Sequence, residues 1–401
     1  MDSIESLGQP LAYKVSDEGF VPEAPGQEGM EQSVRLEARA LEGMQKEALV
    51  FDGSTGSVWR MVSDEGPYLN GKDMAPFPLA FYSAGMASSF LAELIRHAQA
   101  RGVALTNLSI VQDSYYTMEG SAIRGDMTGG AIPAEIVVNC DSGASQEEVE
   151  EVVQLARASS PAQSYMHDVL RNTFSLASNG NILDVEQLTP SAAGLQEDPE
   201  GHFAEVKSQP PDTFFPDIIV KLSSAETVFG VEGGAGSSLH SEQKRTLHVR
   251  AIAAVREDGL YEIKIQLFKP IGSTFRFISD VRGGLAPPPL AYLSAGVGFC
   301  YMTQLGRYAT IVKQELKSYR IVQENRFEVR GSYEGGTATA AARPVDTQLF
   351  VTMEGSDEEA RRLLQMGEQT CFLHAAMRSS NQTKLNVQRV EAEVDLENPT
   401  T

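Results

Sequence analysis

Between Val34 and Val62, apolar and polar residues alternate in short runs broken at Asp52-Gly53-Ser54, the pattern of strands joined by hairpins. From Pro78 the pattern changes. Pro78 to Gly102 reads as one long helix, with proline near its start and glycine at its end, where each suits a helix terminus. Its small residues Ser83, Ala84, Gly85 and Ala87 predict close packing against another helix. Leu108 to Met118 and Ala134 to Cys140 read as strands. A second helix opens at Ser145-x-x-Glu148, a capping box in which the hydroxyl and the carboxylate satisfy each other's backbone amides. Val149, Val152, Val153 and Ala156 then follow helical spacing. The order of strands, long helix, strands, helix and final strand is an α+β pattern rather than alternating βαβ.

The whole pattern occurs twice. At a shift of 211 residues, Pro78-Leu79-Ala80 meets Pro289-Leu290-Ala291, Ser83-Ala84-Gly85 meets Ser294-Ala295-Gly296, and Ile110-Val111-Gln112 meets Ile321-Val322-Gln323. Arg96 meets Arg307, and the capping box returns as Ser356-x-x-Glu359. Roughly a third of positions are identical from Pro78 to Met118, with no gap, which marks a duplication. Upstream, Arg39-Ala40 meets Arg250-Ala251 at the same shift, while Ser63-Asp64 and Ser279-Asp280 need a short gap. Copy one therefore spans 31–180 and copy two 243–391. A connector (181–242) holds one candidate strand, Asp217 to Leu222, and a glycine-rich stretch, Gly233 to Gly236, that reads as flexible linker. Residues 1–30 read as a flexible arm and 392–401 as a tail.

Charge narrows the function. The 401 residues carry a formal charge of −21, which disfavours nucleic acid and gives no basic handle for anionic membranes. No run of eighteen apolar residues predicts a membrane span, and the Met-Asp-Ser-Ile-Glu start lacks a signal peptide's character, so a cytoplasmic protein is expected. A phosphate loop, a dinucleotide fingerprint and a G-x-S-x-G elbow are all missing, so no cofactor and no metal is expected.

Three cysteines are too few for a disulfide framework. Cys140 stands where copy two has Val351 and reads as apolar filler, and the lone Trp59 reads as strand core. Cys300 falls mid-helix opposite Ser89, and Cys371 follows the second helix opposite Ser160. Cys300 reads equally as a buried small residue or a working thiol. His374, three residues after Cys371, shares its face if that turn is helical, and an imidazole there lowers a thiol pKa from its free value of about 8.5. Equally, His374 reads as an ordinary surface or core residue.

A helix of the form Pro-x-x-Leu-(small residues)-Cys, two strands, a second helix and another Cys resembles the OsmC/Ohr family (osmotically inducible protein C and organic hydroperoxide resistance protein). Pro289 to Tyr301 and Ser356 to His374 carry the resemblance, and Ser160-Pro161 is similar to the family's Cys-Pro. It implies an intertwined α+β dimer made within one chain, an intramolecular pseudo-dimer with long central helices packed between antiparallel sheets and sites between the halves. It implies Cys300 as the peroxidatic thiolate, oxidised by an organic hydroperoxide to a sulfenic acid. Cys371 would then be the resolving thiol, an external dithiol the reductant, and the Ser89/Ser160 site inactive. The family's peroxide-reducing members carry a Glu after the helix-starting Pro, paired with an Arg that helps ionise the thiol. Here the stretch is Pro289-Leu-Ala-Tyr292 and has no acid, and Phe372 replaces the usual Pro. Arg39, Arg250 and Arg276 are candidates for the Arg.

Three readings stay open. The first is a thiol peroxidase. The second is other Cys300 nucleophile chemistry on an apolar or aromatic electrophile, with His374 as acid or base and Tyr292, Phe299 and Tyr301 contacting substrate. The third is non-enzymatic ligand binding. A zinc site of Cys300, Cys371 and His374 has suitable ligand types but no supporting spacing. Partners are a small-molecule substrate, a dithiol reductant and, beyond the pseudo-dimer, a further copy in a homo-oligomer.

Overall fold

The computed structural model describes residues 2–16, 31–224 and 243–389; side chains of 243–245 are excluded, and the Gly233 to Gly236 stretch and the 392–401 tail lie outside the described residues. In chain order the elements are α1 (Ile4–Leu7), β1 (Ala12–Lys14), β2 (Glu31–Ala40), β3 (Lys46–Asp52), β4 (Ser57–Ser63), α2 (Pro78–Arg101), β5 (Thr106–Gly120), β6 (Thr128–Asp141), α3 (Gln146–Ser159) and β7 (Thr173–Ser178). The connector adds β8 (Asn181–Leu183), β9 (Thr189–Pro190) and β10 (Ile219–Ser223). Then come β11 (Gln243–Val255), β12 (Tyr261–Lys269), β13 (Thr274–Ser279), α4 (Pro289–Val312), β14 (Leu316–Arg330), β15 (Thr339–Ala342), β16 (Asp346–Met353), α5 (Asp357–Thr370), α6 (Phe372–Met377) and β17 (Lys384–Arg389).

Both long helices begin on proline at the first helical position, and α2 ends at Gly102 in the left-handed conformation (φ 66°). They are buried around most of their circumference, as helices packed between two sheets must be. Both capping boxes form: Ser145 accepts from Glu148 N at 3.2 Å and Ser356 from Glu359 N at 3.3 Å. Ser145→Ala and Ser356→Ala should each lower stability by about 1 kcal/mol, read in urea melts.

Neither half owns a sheet. One sheet runs β1-β4-β3-β2-β14-β16-β7-β8 and the other β10-β13-β12-β11-β5-β6-β17. The antiparallel joints β2–β14 and β11–β5 each tie the first strands of one half to the long hairpin of the other. The sheets are not purely antiparallel. β7 pairs β16 in parallel and β17 pairs β6 in parallel, because the strand after each shorter helix crosses to the opposite half's hairpin. The joints also correct the upstream match. Arg39 lies opposite Arg320, whereas Ser109, the counterpart of Arg320, lies opposite Ala254. The structural counterpart of Arg39 is therefore Ala254, four residues beyond Arg250.

Residues 2–16 are no loose arm. Ser3 caps α1, Ile4 packs with Leu41, Val62 and Ala75, and β1 pairs β4, so burial and a ladder hold the segment. The candidate connector strand is β10, at the edge of the second sheet. Trp59 and Cys140 lie in the core. Among the described residues no helix is long and apolar enough to cross a membrane.

Candidate functional site

Cys300 sits in mid-α4, and Cys371 ends α5 and precedes α6. Their side chains meet across the helix packing with sulfurs 3.5 Å apart, both unoxidised and buried. A disulfide needs about 2.05 Å, so closing the bond takes a movement of about 1.5 Å. At the counterpart positions Ser89 and Ser160 hold the same geometry, oxygen to oxygen 3.0 Å. One spatial arrangement thus exists twice, once with thiols and once with hydroxyls.

His374 lies on α6 one turn beyond Cys371, buried between the rings of Phe174 and Tyr301 at 5.7 and 5.3 Å. Neither ring nitrogen finds a well-formed hydrogen bond. Burial would raise the Cys371 thiol, but the bond from Cys300 and then His374 outweigh it and hold Cys371 well below the usual range. Cys300 moves the other way, raised by burial, then by Cys371, with Glu65 adding to the effect. The two thiols interact closely, so the ionisation of each depends on the other. Removing the neighbour should therefore ease ionisation: in Cys371→Ser, alkylation of Cys300 by iodoacetamide should reach its midpoint at lower pH than in the parent. A peptide-mapped pH series with an unmoved or higher midpoint contradicts this.

Cys300, and not Cys371, lines a narrow space of about 20 Å³, room for roughly one water. The first half supplies Glu65, Tyr68, Leu69, Phe77, Pro78 and Leu79 to its wall; the second supplies Leu247, Pro270, Thr303, Gln304 and Phe372 beside Cys300. The aromatic residues expected at the substrate are elsewhere. Tyr292 is buried against Phe81 and Phe277 and donates to Ile278 O at 2.7 Å. Phe299 packs on Phe81, and Tyr301 faces Phe174 and His374. Each residue turns about 100° around a helix, so side chains adjacent to Cys300 in sequence point away from its cavity, while Thr303 and Gln304 share its face.

The arginine candidates are engaged away from the cavity. Arg39 pairs with Glu47 and with Asp2, Arg250 with Asp113, and Arg276 donates to Asp217 O. Arg96 bonds Glu93 at 2.9 Å and Tyr333 at 2.7 Å, a structural role. Arg307 reaches Gln304.

Two charged residues not singled out from the sequence come from the first half. Glu65 is buried, accepting from Thr303 Oγ1 at 2.9 Å and from Tyr68 OH at 2.7 Å. Lys46 on β3 is fully buried, donates to Met44 O at 2.6 Å, and interacts electrostatically with Glu65, Asp64 and Cys300; burial lowers its pKa. Asp64 has a different task. It accepts from the amides of Glu65, Lys72 and Met74 and shapes the loop, as Asp280 does with Arg282, Gly284 and Leu285. The signal lay in the gap between Ser63-Asp64 and Ser279-Asp280, because copy one's loop is longer there and carries Tyr68 and Leu69.

Among the described residues no group of three metal-ligating side chains is present. Residues 282–386 match the model of the OsmC-like protein family. No curated protein matches the chain. Among solved structures, an OsmC-like hydroperoxide resistance protein from Jannaschia sp. CCS1 is similar at 23% identity, covering 30% of this chain and 79% of its own, with a TM-score of 0.21. An OsmC-like protein from Mycoplasma pneumoniae is similar at 16% identity, covering 34% of this chain and 92% of its own, with a TM-score of 0.26. The stretch that matches the OsmC-like family model, residues 282–386, holds both Cys300 and Cys371.

Proposed function

We propose that this chain is a thiol peroxidase acting on organic hydroperoxides, with Cys300 as the attacking sulfur and Cys371 as the resolving one. The observation that carries the reading is the 3.5 Å approach of the two thiols beside a cavity whose wall includes Cys300. In the first step the Cys300 sulfur takes the distal peroxide oxygen, the O–O bond breaks, and Cys300-SH plus ROOH become Cys300-SOH plus ROH. In the second, Cys371 attacks that sulfur, water leaves, and a disulfide forms. An external dithiol returns two electrons and two protons. His374, against Cys371, keeps the resolving sulfur ready to ionise.

We further infer that copies 31–180 and 243–391 fold as an intramolecular pseudo-dimer joined by the connector. The reciprocal sheet joints and the matched Ser89–Ser160 and Cys300–Cys371 pairs support this. The Ser89/Ser160 site has no thiol and carries no redox chemistry.

Stoichiometric cumene hydroperoxide, followed by thiol counting and peptide mapping, tests the function. Loss of two thiols with a Cys300–Cys371 crosslink is the expected result. A second reading, Cys300 chemistry on another electrophile, draws on a cavity lining that includes the acid Glu65 and, among the described residues, no arginine. It replaces the first if the thiols survive peroxide while Cys300 still alkylates readily.

A further inference from the structure

The two half-sites differ in more than their cysteines. Lys46 pairs across its hairpin with Ser63, and Tyr261 pairs with Ser279. Ser63 and Ser279 are counterparts, each donating to the carbonyl of a matched proline, Pro76 or Pro287. Tyr261 is therefore the counterpart of Lys46, and Val281, following Asp280, is the counterpart of Glu65. At the half-site with both cysteines these two positions hold a buried lysine and a buried acid; at the half-site with serines they hold a tyrosine and a valine, and the buried acid there is Glu93 on α2, the counterpart of Gln304. Asp64 and Asp280, which only shape the loop, are the same on both sides. Glu65 and Lys46 are thus not dictated by the fold, since their counterparts differ in kind.

We propose that Glu65, presented by the first half, is the catalytic acid–base partner of Cys300, taking the thiol proton as sulfur attacks and delivering it to the departing oxygen. This rests on the peroxidase reading above. Atoms balance within the first step: the S–H proton passes to the carboxylate and then to the alkoxide, ROH leaves, and Glu65 is regenerated. Glu65 is placed for this. It shares the small cavity with Cys300, and Thr303 and Tyr68 fix its two oxygens. The titratable groups facing it are Lys46 from β3, Asp64 and Tyr68 from its own loop, and Cys300 from α4, with Cys371 behind. Lys46 is a positioning residue that offsets the carboxylate's charge in the buried site.

An acid beside a thiol makes a prediction of opposite signs. Alkylation by iodoacetamide needs only the thiolate, because iodide leaves without a proton; peroxide reduction needs the proton as well. In the full-length chain, Glu65→Gln should slow oxidation of Cys300 by cumene hydroperoxide on the order of 10²-fold. The same variant should speed alkylation of Cys300 at neutral pH and move its pH profile down. Glu65→Asp, which keeps the charge but loses reach, should slow the peroxide reaction and leave alkylation near the parent rate, and it serves if Glu65→Gln does not fold. Unchanged peroxide rates in these variants, or a parallel fall of both reactions, overturn the role of Glu65. A parent chain that never reacts with hydroperoxide removes the function itself, and the role with it.

Discussion

Cys371→Ser should oxidise once and stop, whereas Cys300→Ser should not oxidise at all. The difference follows from access. The cavity wall includes Cys300 and not Cys371, although Cys371 is the thiol held below its usual range. Peroxide therefore meets Cys300 first, and Cys371 enters the reaction only after that sulfur has become electrophilic. With Cys371 replaced, the sulfenic acid on Cys300 has no thiol 3.5 Å away to condense with. A dimedone adduct on Cys300, one per chain, should accumulate after a rapid single turnover. With Cys300 replaced, hydroperoxide consumption should fall on the order of 10³-fold or more, as when any covalent nucleophile is lost. Mass spectrometry of each variant after peroxide checks both outcomes. Dimedone found on Cys371 in Cys300→Ser, at the parent's rate, would reverse the order of the two thiols.

Much of this architecture was readable from residue order because it is local. Pro78, Pro289 and the two Ser-x-x-Glu boxes fix helix starts through contacts within four residues, and the helices begin where those residues stand. The two cysteine positions stood out because, at the 211-residue shift, serine stands where cysteine stands, twice, but their approach to 3.5 Å comes only with the packing of α4 and α5. Glu65 and Lys46 were not readable, because they reach Cys300 only through packing of opposite halves. Their separation from Cys300 in sequence exceeds two hundred residues, and no local spacing encodes it. The aromatic residues near Cys300 misled for the converse reason. Tyr292, Phe299 and Tyr301 are close along the chain, but helix rotation turns the first two onto Phe81 and the third onto Phe174 and His374, away from the cavity. The upstream alignment failed where identity was sparse; only the strand registers show the shift of four residues between Arg250 and Ala254.

Gly85→Ala and Gly296→Ala should each destabilise the chain by about 3 kcal/mol or more, far beyond what a single methyl usually costs. The crossing of α2 and α4 is the reason. A Cβ on Gly85 would lie 2.4 Å from Leu293 N, and a Cβ on Gly296 would lie 2.4 Å from Tyr82 N. Leu293 and Tyr82 are themselves counterparts at the 211-residue shift, so the helices touch backbone to backbone about a local two-fold relation. No rotamer relieves a clash with main chain, so the helices must separate. Ser83→Ala and Ser294→Ala make the contrast. These matched hydroxyls are buried without partners, so removing them should be neutral or stabilising by about 1 kcal/mol. Urea denaturation of the four variants reads the result. Gly85→Ala and Gly296→Ala costing alike supports a symmetric crossing; a cost below 1 kcal/mol for either would sink it. Separation would also be felt at the site, since α2 and its preceding loop hold Glu65, Phe77 and Leu79 against Cys300 on α4. Peroxide reactivity should therefore fall in both glycine variants even at temperatures where they remain folded, because the cavity exists only while the two halves touch.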